Sequence, residues 1–157
     1  MTTASQYREH IVDMLADCNL FNNFSPDELQ RASAYFNISE IREGEVIFRE
    51  GDDGHFMGII HSGHISVLKS DSNNNPVEMA KLKKGKVFGE MAVLDGERRS
   101  ATCTASGNGS LLTLSRDSLD RMMEEQPRIA AKVTRAIAVS VSQRLRLVDF
   151  KVADHQL

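Results

Sequence analysis

The chain has 157 residues, 41% of them hydrophobic and 26% charged, ordinary globular values with enough length to bury a core within one domain. A formal net charge of −3 with a pI near 5.9 argues against the basic surface usual in nucleic-acid binders, and no apolar run is long enough to span a bilayer or to form an N-terminal signal core. Cys18 and Cys103 stand far apart with no C-x-x-C pair and support neither a zinc site nor a disulfide framework, so a cytoplasmic protein with two free, buried thiols is expected.

Along the chain, residues 5 to 17 place Tyr7, Ile11, Met14 and Leu15 on one face of a helix. Ser25-Pro26-Asp27-Glu28 then combines an N-cap, a proline at the first helical position and a carboxylate two residues later, predicting a second helix to about Tyr35. From Ile38 to Ser115 the pattern changes to short β-rich runs at 38–42, 45–50, 57–61, 64–70, 77–82, 99–105 and 111–115, separated by glycine and asparagine turns. Such a series suggests a barrel or jelly roll. Residues 71–76, Asp-Ser-Asn-Asn-Asn-Pro, read as an exposed hairpin tip. A helix follows over 116 to about 124, and Pro127 opens another that runs towards Phe150. Its apolar stripe, Ile129, Val133, Ile137, Val141, Leu145 and Val148, is longer than one small barrel needs to cover. The fold class is α+β, mainly β.

Residues 88–102 carry the chemistry. Gly89 permits a tight turn, Glu90 to Leu94 favours helix, and its first free N–H groups, near Met91 and Ala92, can face an anion. Gly96 suits a helix stop. Arg98 to Thr104 alternates in a β-rich composition, which puts Arg99 near the start of a strand facing that helical turn. A phosphate between them would meet backbone donors on one side and a planar guanidinium fork on the other. Glu90 has the wrong sign for phosphate but can accept from a sugar hydroxyl. Arg98, Asp95 and Glu97 read as solvated. His55, His61 and His64 lie close in sequence, yet no carboxylate or thiolate completes a metal set, and no metal is expected. No hydrolytic motif appears either, so the chain reads as a binder and not an enzyme.

These residues resemble the phosphate-binding cassette of the cyclic nucleotide-binding domain family, F-G-E-x-A followed by R-x-A-T, met here by Phe88, Gly89, Glu90, Ala92, Arg99, Ala101 and Thr102. The resemblance extends to Gly51-Asp52-Asp53-Gly54, to Ile59-Ile60-His61-Ser62-Gly63 and to Lys84-Gly85-Lys86-Val87, covering roughly residues 20 to 150. Met57-Gly58 departs from it, standing where an aromatic pair is common. The resemblance implies an eight-stranded jelly-roll β-barrel over 38–115, flanked by N-terminal helices within 1–37 and C-terminal helices over 116–150, in a single domain of 1–157. It gives Glu90 the ribose 2′-hydroxyl, and Arg99 with the backbone of Gly89, Met91 and Ala92 the cyclic phosphate, to which the Ser100 hydroxyl could add. The ligand is then cAMP or cGMP, with no separate cofactor. Ser100 after the arginine leans towards cAMP. The Thr-Ser pair with which bacterial regulators read adenine is absent from the long helix, so Arg144 and Asp149 are the candidate base contacts. The same resemblance implies that the long helix lids the nucleotide and pairs with its twin in a homodimer, signalling to a protein partner the sequence does not reveal. A helix-turn-helix would have to follow that helix for DNA binding, and the sequence ends about seven residues after Phe150, so none is expected. Two rivals stand beside the stand-alone sensor: a sensor domain of a larger regulator, and a scaffold that keeps the fold without the ligand.

Overall fold

The computed structural model describes residues 3–156, and the side chains of residues 3–147. Helix α1 (Ala4–Ala16) starts from a reciprocal capping box between Thr3 and Gln6 and buries Ile11, Met14 and Leu15, while the Tyr7 hydroxyl accepts the Ile38 N–H at 2.8 Å. After a single 3₁₀ turn (Asn19–Phe21), helix α2 (Pro26–Ser33) opens on the expected box, with the Ser25 hydroxyl and Glu28 carboxylate capping each other's N–H groups.

Eight strands follow: β1 (Asn37–Ile41), β2 (Val46–Phe48), β3 (Phe56–Ser62), β4 (Ile65–Ser70), β5 (Pro76–Leu82), β6 (Val87–Phe88), β7 (Thr102–Ala105) and β8 (Gly109–Ser115). The short helix α3 (Glu90–Asp95) lies between β6 and β7, and helices α4 (Arg116–Glu125) and α5 (Pro127–Gln156) close the chain. The strands form two four-stranded sheets in the orders β1-β8-β3-β6 and β2-β7-β4-β5, all pairs antiparallel, which is the jelly-roll arrangement. No described helix is long and apolar enough to cross a membrane.

Two strand expectations are corrected. The eighth strand, β6, has only two residues, too few to show any alternation. The run expected over 99–105 begins at Thr102 instead, because the backbone of Arg99 is engaged elsewhere: its N–H donates to the Asp52 carbonyl and its carbonyl accepts the Gly51 N–H, both at 2.8 Å. Arg99 therefore sits on a loop tied to the 51–54 turn.

The first sheet is buried on both faces. On β3, Met57 and Ile59 join a helical core with α1, α2, α4 and α5, whereas Ile60 points between the sheets; on β8, Leu112 and Leu114 go with the helices and Leu111 with the inter-sheet core. The stripe of α5 follows the helical core through Ile129, Val133 and Ile137, and Val141 packs at its edge. It then leaves the protein: Leu145 is 60% exposed, and Val148 falls outside the described side chains.

The departure at Met57-Gly58 has a packing reason. Met57 is fully buried, and a Cβ at Gly58 would lie 2.5 Å from the ring of Phe88. Gly58→Ala should therefore lower the unfolding free energy by about 1–3 kcal/mol through overpacking, read by urea denaturation. An unchanged midpoint would show that Phe88 can move aside.

Candidate functional site

The cassette is built around α3, which is bracketed by two left-handed glycines, Gly89 (φ 71°) and Gly96 (φ 75°). At Gly89 the missing side chain also makes room, since a Cβ would lie 2.5 Å from Arg99 Nη1 and about 3.1 Å from the Phe48 ring. Gly54 does the same on the other side, where a Cβ would collide with the Ala92 Cβ at 2.0 Å. The 51–54 turn, α3 and the Arg99 loop thus approach more closely than side chains would allow.

Arg99 is 5% exposed. Its guanidinium carbon lies 3.7 Å from the centroid of Phe48 and 5.0 Å from that of Phe56. Nη1 donates to the Gly89 carbonyl at 3.0 Å and Nη2 to the Phe56 carbonyl at 2.6 Å, while the buried Nε has no hydrogen-bond partner among the described residues. Nor does any described carboxylate lie within 4.0 Å of it. Burial draws its pKa below the ordinary arginine value, an effect that Cys103, Asp52 and Glu90 partly oppose. A guanidinium nevertheless stays charged in proteins.

Glu90 is the other buried charge, 4% exposed at the start of α3. Its Oε1 accepts from Arg144 Nη1 at 3.1 Å, and Arg144 Nη2 donates to the Val87 carbonyl. A side chain from the late part of α5 is thereby fastened to both the strand leading into the cassette and the first residue of α3.

Between these charges lies a cavity of about 110 Å³. Residues 88–92 and 98–101 form its walls, Phe48, Val67, Leu82 and Cys103 its apolar side, and Arg144 its edge on α5. The structure therefore gathers Phe88, Gly89, Glu90, Met91, Ala92, Arg99, Ser100, Ala101 and Arg144 around one pocket. Arg144, a candidate base contact, is paired to Glu90 and to the Val87 carbonyl. The side chain of Asp149, the other candidate base contact, lies outside those described. Arg98, read as solvated, is exposed yet lines the mouth, and its Nη1 donates to the Gly51 carbonyl at 3.4 Å. Phe48, Val67 and Leu82 in the pocket wall, and Phe56 beside Arg99, were not singled out by sequence, because an inward strand residue looks like any other core residue. His61 takes part in a different network: its Nδ1 is 3.3 Å from Ser110 Oγ and its Nε2 is 3.5 Å from Asp17, which also binds Lys84.

A buried, unpaired cation facing a buried carboxylate across an apolar-sided pocket suits a ligand carrying an anionic group and a hydroxyl. The comparison with known proteins bears directly on this. A family model described as the cyclic nucleotide-binding domain matches residues 38–126. The chain belongs to the cyclic nucleotide-binding domain family. It is similar to the cyclic AMP receptor protein of Thermus thermophilus, 29% identical over 133 residues that make up 85% of this chain and 60% of that protein. It is also similar to the cAMP-dependent protein kinase regulatory subunit of Blastocladiella emersonii, 28% identical over 123 residues, 78% of this chain and 30% of that one. The chain thus spans less than two thirds of the length of either relative. Among solved structures, a cyclic nucleotide-binding domain from Methylobacillus flagellatus superposes with a TM-score of 0.84 at 28% identity, covering 100% of this chain and 88% of that chain.

Burial also sets thiol chemistry. Burial pushes the Cys103 thiol up to about 12 and raises that of Cys18 as well, so both stay protonated at neutral pH and are shielded from reagents. A thiol-exchange reagent at pH 8 should label neither in the folded protein and both after denaturation. Rapid labelling of native Cys103 would mean that the pocket opens far more than described.

Proposed function

We propose that the chain is a sensor that binds a cyclic nucleoside monophosphate, cAMP in preference to cGMP, and passes the event on through α5. The observation that carries the reading is Arg99: a guanidinium 5% exposed, with a buried N–H unmatched and no described carboxylate within 4.0 Å. Burying an uncompensated charge is unfavourable, and a phosphate beside it supplies the missing countercharge with charge-assisted hydrogen bonds. The backbone at Gly89, Met91 and Ala92 would hold the same phosphate, with the Ser100 hydroxyl at the rim. Glu90 would accept from the ribose 2′-hydroxyl, while Phe88 and Ala101 shape the pocket and Val67 and Leu82 offer an apolar wall to the purine. Ser100 after the arginine supports cAMP over cGMP. The role is one of binding, without catalysis or a separate cofactor.

Glu90 would then have two claimants, the ribose and Arg144. A ligand that takes up part of this carboxylate changes what fastens α5 to the cassette, and it shifts α5 only by its differential affinity for the two arrangements. The exposed Leu145 and Leu147 on α5 support pairing with a second copy through that helix. The greater length of the relatives supports the alternative that the same binding event serves a larger regulator.

Replacing Arg99 by alanine should weaken cAMP binding by about 2–5 kcal/mol, measured by anisotropy of a fluorescent cAMP, with cGMP as competitor on the parent protein. An Arg99→Ala protein that is folded and binds cAMP as tightly as its parent would refute the assignment. The signalling step has its own check in hydrogen exchange. cAMP should change amide protection in both the cassette and α5 of the parent protein, and Arg144→Ala should leave the first change and remove the second. Loss of both, or of neither, would contradict transmission through Arg144.

A further inference from the structure

A second depression, larger than the cassette pocket, lies elsewhere among the described residues. A groove of about 550 Å³ runs along α5, walled by the 3₁₀ turn with the residues just after it and by the turn between β5 and β6. Four cations line it, Lys84 and Lys86 from the strand turn and Lys132 and Arg135 from α5, and no aspartate or glutamate does. In a chain whose net charge is −3, this is a concentration of positive charge against the average. Two of the four are already engaged: Lys84 binds Asp17 at 2.5 Å, and Lys132 binds Glu28 at 2.9 Å and the Asn23 carbonyl at 2.7 Å. Lys86 and Arg135 have no described carboxylate within 4.0 Å.

The lining is not only charged. Leu20, Phe24 and Ala136 contribute apolar surface, and Val139 stands exposed on the same face of α5. From Lys132 to Gln143 the groove follows about 16 Å of helix, the span of about five residues of extended polypeptide. A lone phosphate would fill only a fraction of that length and leave the apolar surface uncovered. A nucleic-acid duplex would need a broad basic face, whereas two of the four cations in this groove are already paired to carboxylates.

We propose that this groove docks an extended, acidic and partly apolar segment of a partner protein, its carboxylates on Lys86 and Arg135 and its apolar side chains on Leu20, Phe24 and Val139. The docking does not depend on the ligand assigned to the cassette. Its position is nonetheless informative, because Lys86 precedes the Val87 carbonyl that receives Arg144, and α5 walls both cavities. A segment seated there contacts the helix and strand whose junction lies on Glu90.

The test uses a short fluorescein-labelled peptide alternating glutamate and leucine, its lysine-for-glutamate counterpart, inorganic pyrophosphate and a DNA duplex, each titrated into the full chain. The glutamate peptide should bind saturably, more weakly at high salt, and the combined Lys86→Glu and Arg135→Glu changes should reduce its affinity at least about tenfold. Lys86→Gln with Arg135→Gln, a milder pair should the reversals impair folding, should reduce it in the same direction. Both pairs should leave cAMP affinity as in the parent, and a cassette that binds no cAMP at all would not alter the peptide result. Equal binding of the two peptides, or no effect of either pair, would overturn the proposal. So would pyrophosphate or the duplex binding through the same residues more tightly than the glutamate peptide.

Discussion

A guanidinium removed from water has to be met by something, and the protein meets Arg99 with rings and carbonyls instead of a carboxylate. The Phe48 ring lies over it and the Phe56 ring beside it, and the Gly89 and Phe56 carbonyls accept from its two terminal nitrogens. Much of the local architecture follows from this placement. Gly89 and Gly54 lack side chains where a Cβ would strike Arg99 or Ala92, and the Arg99 backbone bonds to the 51–54 turn at the expense of the first three residues of the expected strand. These contacts fix the guanidinium in place without neutralising it. A buried positive charge held in this way favours whatever anion can reach it.

The second constraint runs through Glu90. A buried carboxylate also needs a partner, and here Arg144 provides it from 54 residues away in sequence. The consequence is mechanical. Helix α5 packs its first half into the core with α1, α2 and α4, and its later part is fastened to the β6–α3 junction by one side chain. A change at the start of α3 is therefore felt by an element whose other end is anchored in a different core. Rigid packing at one end and, among the described side chains, one polar fastening at the other are what the proposed transmission through α5 would act on.

Local features could be read from the sequence because their causes are local. Both α2's capping box and α3's glycine brackets lie within a few residues of what they control, and the cassette concentrates its ligand groups in one run of fifteen, residues 88–102. Order along the chain likewise narrowed the β region to a barrel or jelly roll, and the family resemblance pointed to the jelly roll. What stayed hidden was set by distant partners. A two-residue strand has no periodicity, so β6 was invisible. Phe48, Phe56, Val67 and Leu82 alternate inward like any core residue, and nothing in one strand says that the next loop carries a cation. Arg144 reads as a polar position on an amphipathic helix. Only the fold brings it to Glu90.

Arg99 is assigned to a phosphate, and calorimetric titration of the unmodified protein with cAMP, cGMP and adenosine probes that assignment. Saturable binding of a cyclic nucleotide is predicted, with adenosine, which has the ribose and base but no phosphate, at least about a hundredfold weaker. Flat titrations with both cyclic nucleotides, or adenosine binding as tightly as cAMP, would contradict it.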